Sequence, residues 1–139
     1  MVGGHERIRN LFSQQKVMQE LGAEISRIAS GELDISMPFN EKFTQQNGFL
    51  HAGIVSTLLD SACGGAALTK IKPGNNVLAV EFKINFLAPA SGDSFIASGR
   101  VIKAGRTISV CEGEAFAFQG IEKKLVARMQ ATMISIHEK

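Results

Sequence analysis

Between residues 5 and 21, Ile8, Leu11, Phe12, Met18 and Leu21 recur at near-helical spacing among polar residues. That pattern predicts an amphipathic helix lying on the surface of a core, with a candidate break near Gln14. The period then shortens to two. From Gly22 to Met37, Ala23 and Ile25, then Leu33, Ile35 and Met37, alternate with polar neighbours on either side of Ser30-Gly31. This reads as a pair of strands joined by a hairpin turn and closed off at Pro38. Residues 40–50, NEKFTQQNGFL, are polar and turn-rich, and they lead into HAGIVSTLLDSACGGAALTK (51–70). The apolar density there predicts one buried helix of about 18 residues. Its stretch from Ala62 to Ala67 holds only Ala, Gly and Cys, which costs helix propensity at Gly64 and Gly65 but lets another backbone come close.

After the turn KPGNN (72–76), Leu78, Val80, Phe82, Ile84 and Phe86 alternate with Ala79, Glu81, Lys83 and Asn85 as far as Ala88-Pro89. A strand with one buried face is expected. Three more strands follow at 94–103, 106–118 and 124–136, punctuated by Ser91-Gly92, Ala104-Gly105 and Gln119-Gly120. Connections this short favour antiparallel neighbours. One long buried helix followed by four strands predicts an α+β fold, an antiparallel sheet wrapped around a single central helix. At 139 residues the chain is expected to form one domain over 1–139, with residues 1–21 as an N-terminal helical segment.

Composition narrows the function classes. Apolar residues make up 45% of the chain and charged residues 20%, a globular balance whose apolar surplus suggests a subunit interface. Fifteen Lys and Arg against thirteen Asp and Glu give a net charge of +2, and the cations are scattered, so no nucleic-acid partner is expected. Cys63 and Cys111 lie far apart with no CxxC and no completing His spacing. They are expected to be buried, reduced thiols in a cytoplasmic protein, with no metal site. No apolar stretch approaches the length of a membrane span, and the charged start MVGGHERIRN has no signal-peptide character.

Asp60 is the anomaly. It closes the run Ile54-Val55-Ser56-Thr57-Leu58-Leu59, the most apolar part of the buried helix, where a carboxylate is expensive. It is either a structural, hydrogen-bonded group or a chemical one. Gly53, Thr57, Asp60 and Gly64 form a polar or small stripe along one side of that helix. The free amides near Ala52 and Gly53 at the helix start make an anion or oxyanion site. Eight residues of rise separate Asp60 from Ala52 by about 12 Å, beyond the reach of an Asp side chain. If both features serve one site, a second subunit supplies one of them, and two antiparallel helices about a two-fold give two equivalent sites.

The run Gln45-Gln46-Asn47-Gly48-Phe49-Leu50-His51-Ala52-Gly53, with Asp60 following, resembles the hotdog-fold thioesterases of the PaaI-like (phenylacetate-pathway) type and their relatives acting on 4-hydroxybenzoyl-CoA. The likeness extends through VLAVEFKINFLAPA (77–90) and VIKAGRT (101–107), covering residues 22–136. It implies a hotdog fold and hydrolysis of an aryl or medium-chain acyl-CoA to free acid and CoA. It also implies Asp60 as nucleophile or base, the Ala52 amide polarising the thioester carbonyl, and Gln45 positioning substrate or water. His51 becomes a helix-start residue that caps and shapes the pocket, with direct proton transfer as the alternative. Lys103 and Arg106 fall where the family meets coenzyme A phosphates, against the plainer reading of a solvated hairpin. Asn47 and Ser61 are either site residues or a turn former and a packing hydroxyl.

The resemblance implies no cofactor beyond the CoA carried by the substrate, no membrane partner and a homo-oligomer, a dimer of dimers by family habit. Two departures stand out: Ala52 replaces a glycine, and Gly64 stands where the family often has Ser or Thr. A non-catalytic acyl-CoA binding module and an acyl-thioester dehydratase or hydratase using His51 with Asp60 therefore remain as alternatives. Phe39, Phe43, Phe49 and Phe82 are the aromatic candidates for an acyl pocket, aryl or alkyl.

Overall fold

The computed structural model describes residues 2–137. Helix α1 (Val2–Ser13) and the short α2 (Lys16–Leu21) form the opening segment. They part at Gln15, whose backbone is extended, one residue beyond the expected break. Strands β1 (Glu24–Ala29) and β2 (Glu32–Pro38) make the first hairpin, turning at Ser30-Gly31 with Gly31 at φ +76°, a conformation that suits glycine. Leu33, Ile35 and Met37 are all buried on one face of β2, as their alternation predicts.

Helix α3 (Ala52–Leu68) follows a single 3-10 turn at Glu41–Phe43. Strands β3 (Asn75–Phe86), β4 (Ser94–Ala104), β5 (Ile108–Gln119) and β6 (Glu122–His137) complete one six-stranded sheet. Its order is β1-β2-β4-β5-β6-β3, with every neighbour antiparallel. The sheet curls around α3, which packs against β2 to β6. This is the hotdog architecture.

Close contact between helix and sheet explains the small residues of α3. A Cβ added at Gly99 on β4 would stand 2.4 Å from the Ala62 carbonyl, and one at Gly113 on β5 would stand 2.9 Å from Leu59 Cδ2. Ala62, Cys63, Ala66 and Ala67 are fully buried against the strands. Burial without bulk brings the helix axis down onto the sheet, offsetting the propensity cost of Gly65, where an added Cβ would stand 3.0 Å from Leu33 Cδ1.

Two expectations need correction, both on β3. The run of short connections suggested that β3 would lie beside β4, yet it lies at the sheet's far edge beside β6. The link after Phe86 passes under the start of α3, tied by Leu87 N–H to Val126 O (2.8 Å) and by Leu50 N–H to Ala90 O (3.1 Å). Nor does β3 bury its alternating apolar face. A bulge between Ala79 and Glu81 inserts Val80 and reverses the parity of the strand. Leu78 consequently pairs with Ile134 on the face turned away from α3, whereas Phe82, Ile84 and Phe86 pair with the buried Ala131, Met129 and Ala127. On this edge Leu78, Val80, Phe82 and Phe86 are 42–56% exposed.

Candidate active site

His51 is the N-cap of α3, and its Nδ1 accepts the Gly53 N–H at 3.0 Å. Its carbonyl accepts Ile54 N–H at 2.9 Å and Val55 N–H at 3.3 Å. The first turn's donors are thus largely satisfied from within. Of the two amides expected to be open, the Gly53 N–H is occupied by the cap, because a His ring folded back from the N-cap position reaches the second helical amide. The Ala52 N–H meets no acceptor among the described residues. With Nδ1 accepting, a neutral His51 carries its proton on Nε2.

Gln45 stands before this helix start in a tight turn. Its Oε1 accepts the amides of Asn47 (2.6 Å) and Phe49 (3.3 Å), while Gly48, at φ +86°, donates to the Gln45 carbonyl at 3.0 Å. The side-chain oxygen is therefore consumed by the loop, leaving the Nε2 amide as the group that faces a ligand. Gln45, Asn47, His51 and Ala52 line one cavity of about 640 Å³, whose other walls include Phe49, Phe86 and Val126.

Asp60 lies elsewhere. It is half-buried in a separate cavity of about 320 Å³ enclosed by α1, the α1–α2 joint, α3 and the start of β3. Among the described residues it makes no hydrogen bond and no ion pair. Loss of hydration in this largely apolar surrounding holds its carboxyl above the usual carboxylate range. Thr57, on the same side of the helix, donates its hydroxyl to the Gly53 carbonyl at 2.8 Å. Ser61 donates to Gln15 Oε1 at 2.9 Å. The sequence carried little sign of Gln15: the contact spans 46 positions, and only the candidate helix break pointed to that region.

Lys103 and Arg106 are exposed on the β4–β5 hairpin and line neither cavity. Of the phenylalanines singled out, Phe49 lines the His51 cavity and Phe43 packs against the core, while Phe39 and Phe82 are exposed. Phe12 and Phe86 take the lining positions instead. Burial pushes the Cys63 thiol up to about 12 and Cys111 to about 11, so both stay protonated at neutral pH. Among the described residues no group of three or more His, Cys, Asp or Glu is placed to hold a metal, and no helix is long and apolar enough to cross a membrane.

A family model described as the thioesterase superfamily matches residues 47–124, more than half of the chain and the whole span from Asn47 through Asp60 to β6. The chain belongs to the thioesterase superfamily. A solved thioesterase-family protein from Silicibacter pomeroyi is 45% identical to this thioesterase, covers 96% of it and 98% of its own chain, and superimposes with a TM-score of 0.95. A candidate esterase from Saccharolobus solfataricus is 31% identical over 122 residues, 87% of this thioesterase and 84% of the relative. Acyl-coenzyme A thioesterase 13 of mouse is 28% identical over 104 residues, 74% and 69% of the two chains. The hotdog fold and the thioesterase activity expected from the residues around Asp60 therefore stand.

Proposed function

We propose that this thioesterase hydrolyses acyl-CoA thioesters in the cytoplasm, in sites that two subunits assemble jointly. The observation that carries the reading is Asp60: a carboxylate without a partner among the described residues, held in an apolar cavity, with an open helix-start amide about 12 Å away along the same helix. Neither half is complete alone.

The two halves also lie at opposite ends of β3. Asn76 to Ala79 border the Asp60 cavity, and Phe86 to Ala88 border the His51 cavity. If two β3 edges pair antiparallel about a two-fold near Phe82, the first end of one strand meets the second end of the other. Asp60 of each subunit then faces Ala52 of its partner. The long, exposed, apolar edge supports this pairing, since such an edge left open is a site of self-association. A second apolar surface, Leu78, Ile134 and Ile108 side by side across three strands on the face away from α3, suits the dimer of dimers.

In the site, Asp60 acts on the thioester carbonyl as nucleophile or as base for water. In the base form, water oxygen attacks the carbonyl carbon and its proton passes to Asp60. The developing oxyanion accepts the partner's Ala52 N–H and Gln45 Nε2–H, the C–S bond breaks, and CoA leaves as the thiolate. Lys103 and Arg106 are the candidates for the CoA phosphates, reached across the assembled interface.

A second reading, a non-catalytic acyl-CoA binding module, is favoured by the Ala52 methyl at the carbonyl position and by the absence of a hydroxyl at Gly64. Thiol release from a panel of aryl- and alkyl-CoAs separates the two. Hydrolysis that falls by about 10² or more in Asp60→Asn at matched oligomeric state supports the enzyme; binding without thiol release sinks it.

A further inference from the structure

Resting on the thioesterase reading, we propose that the cavity beneath α1 is the acyl pocket of the Asp60 site, that it takes unbranched alkyl chains of medium length, and that Gly64 sets its depth.

Gly64 stands one turn beyond Asp60 and lines the same cavity. A Cβ added there would lie 3.8 Å from Val77 Cγ2 and 3.9 Å from Met133 Cε, ordinary contact distances. The fold therefore tolerates a side chain at this position, unlike Gly99 or Gly113, and glycine is not required by packing. What a side chain would remove is volume from the cavity. The cavity measures about 320 Å³. A water molecule occupies about 30 Å³ of liquid and a methylene is of similar size, so there is room for a chain of about ten carbons.

The lining favours alkyl over aryl. Leu11, Ile25, Leu33, Leu68, Val77 and Met133 make aliphatic walls, and Phe12 is the one aromatic residue among those around it. Two of its side-chain carbonyl oxygens are engaged. Gln15 Oε1 accepts from Ser61 at 2.9 Å, and Asn76 Oδ1 accepts the Val77 amide at 2.8 Å. Those two acceptors are closed to a hydroxyl on the acyl group, and the aliphatic walls offer the many weak contacts that a flexible alkyl chain can fill. The Gln15–Ser61 hydrogen bond also pins the α1–α2 joint onto α3 next to Asp60, closing the pocket on that side.

The test measures kcat and KM of the full chain for straight-chain acyl-CoAs from four to fourteen carbons and for phenylacetyl-CoA, with Gly64→Ala, Gly64→Val and Leu11→Phe beside the unmodified protein. The two last variants fill the cavity from opposite walls, so misfolding of one leaves the other informative. The unmodified protein is expected to peak at about eight to ten carbons. Each filling variant is expected to move the peak to shorter chains, lowering kcat/KM for decanoyl-CoA by about tenfold or more, chiefly through KM. Butyryl-CoA should lose much less than decanoyl-CoA in the same variants, so that the ratio of the two moves toward the shorter chain. Hydrolysis with an unchanged length profile in every folded variant overturns the pocket assignment, and a preference for phenylacetyl-CoA overturns the alkyl class. Thiol release from no acyl-CoA by the unmodified protein overturns instead the thioesterase reading beneath it.

Discussion

Asp60 has opposite effects on stability and on chemistry. Burial raises its pKa, so between the unfolded value and the raised folded one the native state binds more protons than the unfolded state. The neutral acid therefore favours the fold, and stability is lost as pH rises through the folded value. Asp60→Asn is accordingly expected to melt a few degrees higher than the parent at pH 7, with the gap closing as the pH is lowered below the folded pKa. A calorimetric pH series reads this directly. Hydrolysis should run the other way, rising with pH as Asp60 ionises, because nucleophile and base both need the carboxylate. At the other half of the site, Ala52→Pro deletes one N–H at the first helical position, where proline is well tolerated. Its melting temperature should stay near the parent's while kcat falls by about 10² to 10³, the cost of one oxyanion donor.

Among the elements, α3 and β4 are fitted to each other through backbone rather than side chain. Gly99→Ala would drive a Cβ into the Ala62 carbonyl at 2.4 Å, and neither backbone can yield without shifting its neighbours. A loss of about 3 kcal/mol or more in a urea titration is expected, at the upper end of overpacking costs. The same tightness explains how much was legible beforehand. The run Ala62–Ala67 announced a close backbone approach, the alternation in β2 marked a strand against a core, and the turn pairs Ser91-Gly92, Ala104-Gly105 and Gln119-Gly120 bounded β4 and β5, because these features are local. The bulge at Val80 left no such mark: an inserted residue keeps the apolar letters alternating while reversing which face each one occupies. The Gln15–Ser61 contact was equally hidden, since hydrogen bonds between distant positions carry no period. Capping at His51 was foreseen, but which amide the ring would occupy depends on a side-chain torsion that composition does not encode.

At the scale of the whole molecule, the exposed edge of β3 and the split of the site along α3 lead to the same assembly. A charge placed at the centre of that edge, Phe82→Glu, is expected to break the β3-edge pairing and lower the assembly mass in sedimentation velocity while leaving the α3–sheet core folded, because Phe82 is 42% exposed in the single chain. Complementation gives a sharper reading. Mixing Ala52→Pro with Asp60→Asn subunits after mild dissociation forms hybrids with one intact site of two. Random reassortment should then restore about a quarter of parental activity from two nearly inactive stocks. Sites confined to single subunits would restore nothing.

The separation of about 12 Å between Ala52 and Asp60 along α3 also makes abundance a control on chemistry. A chain newly released from the ribosome holds both halves of a site and no whole one, so it is silent toward thioesters until it meets another copy. On dilution, specific activity should decay with the dimer population rather than hold constant, with the midpoint at the dissociation constant of the pair. One doubly altered chain would silence the sound chain it pairs with, the signature of a dominant-negative allele.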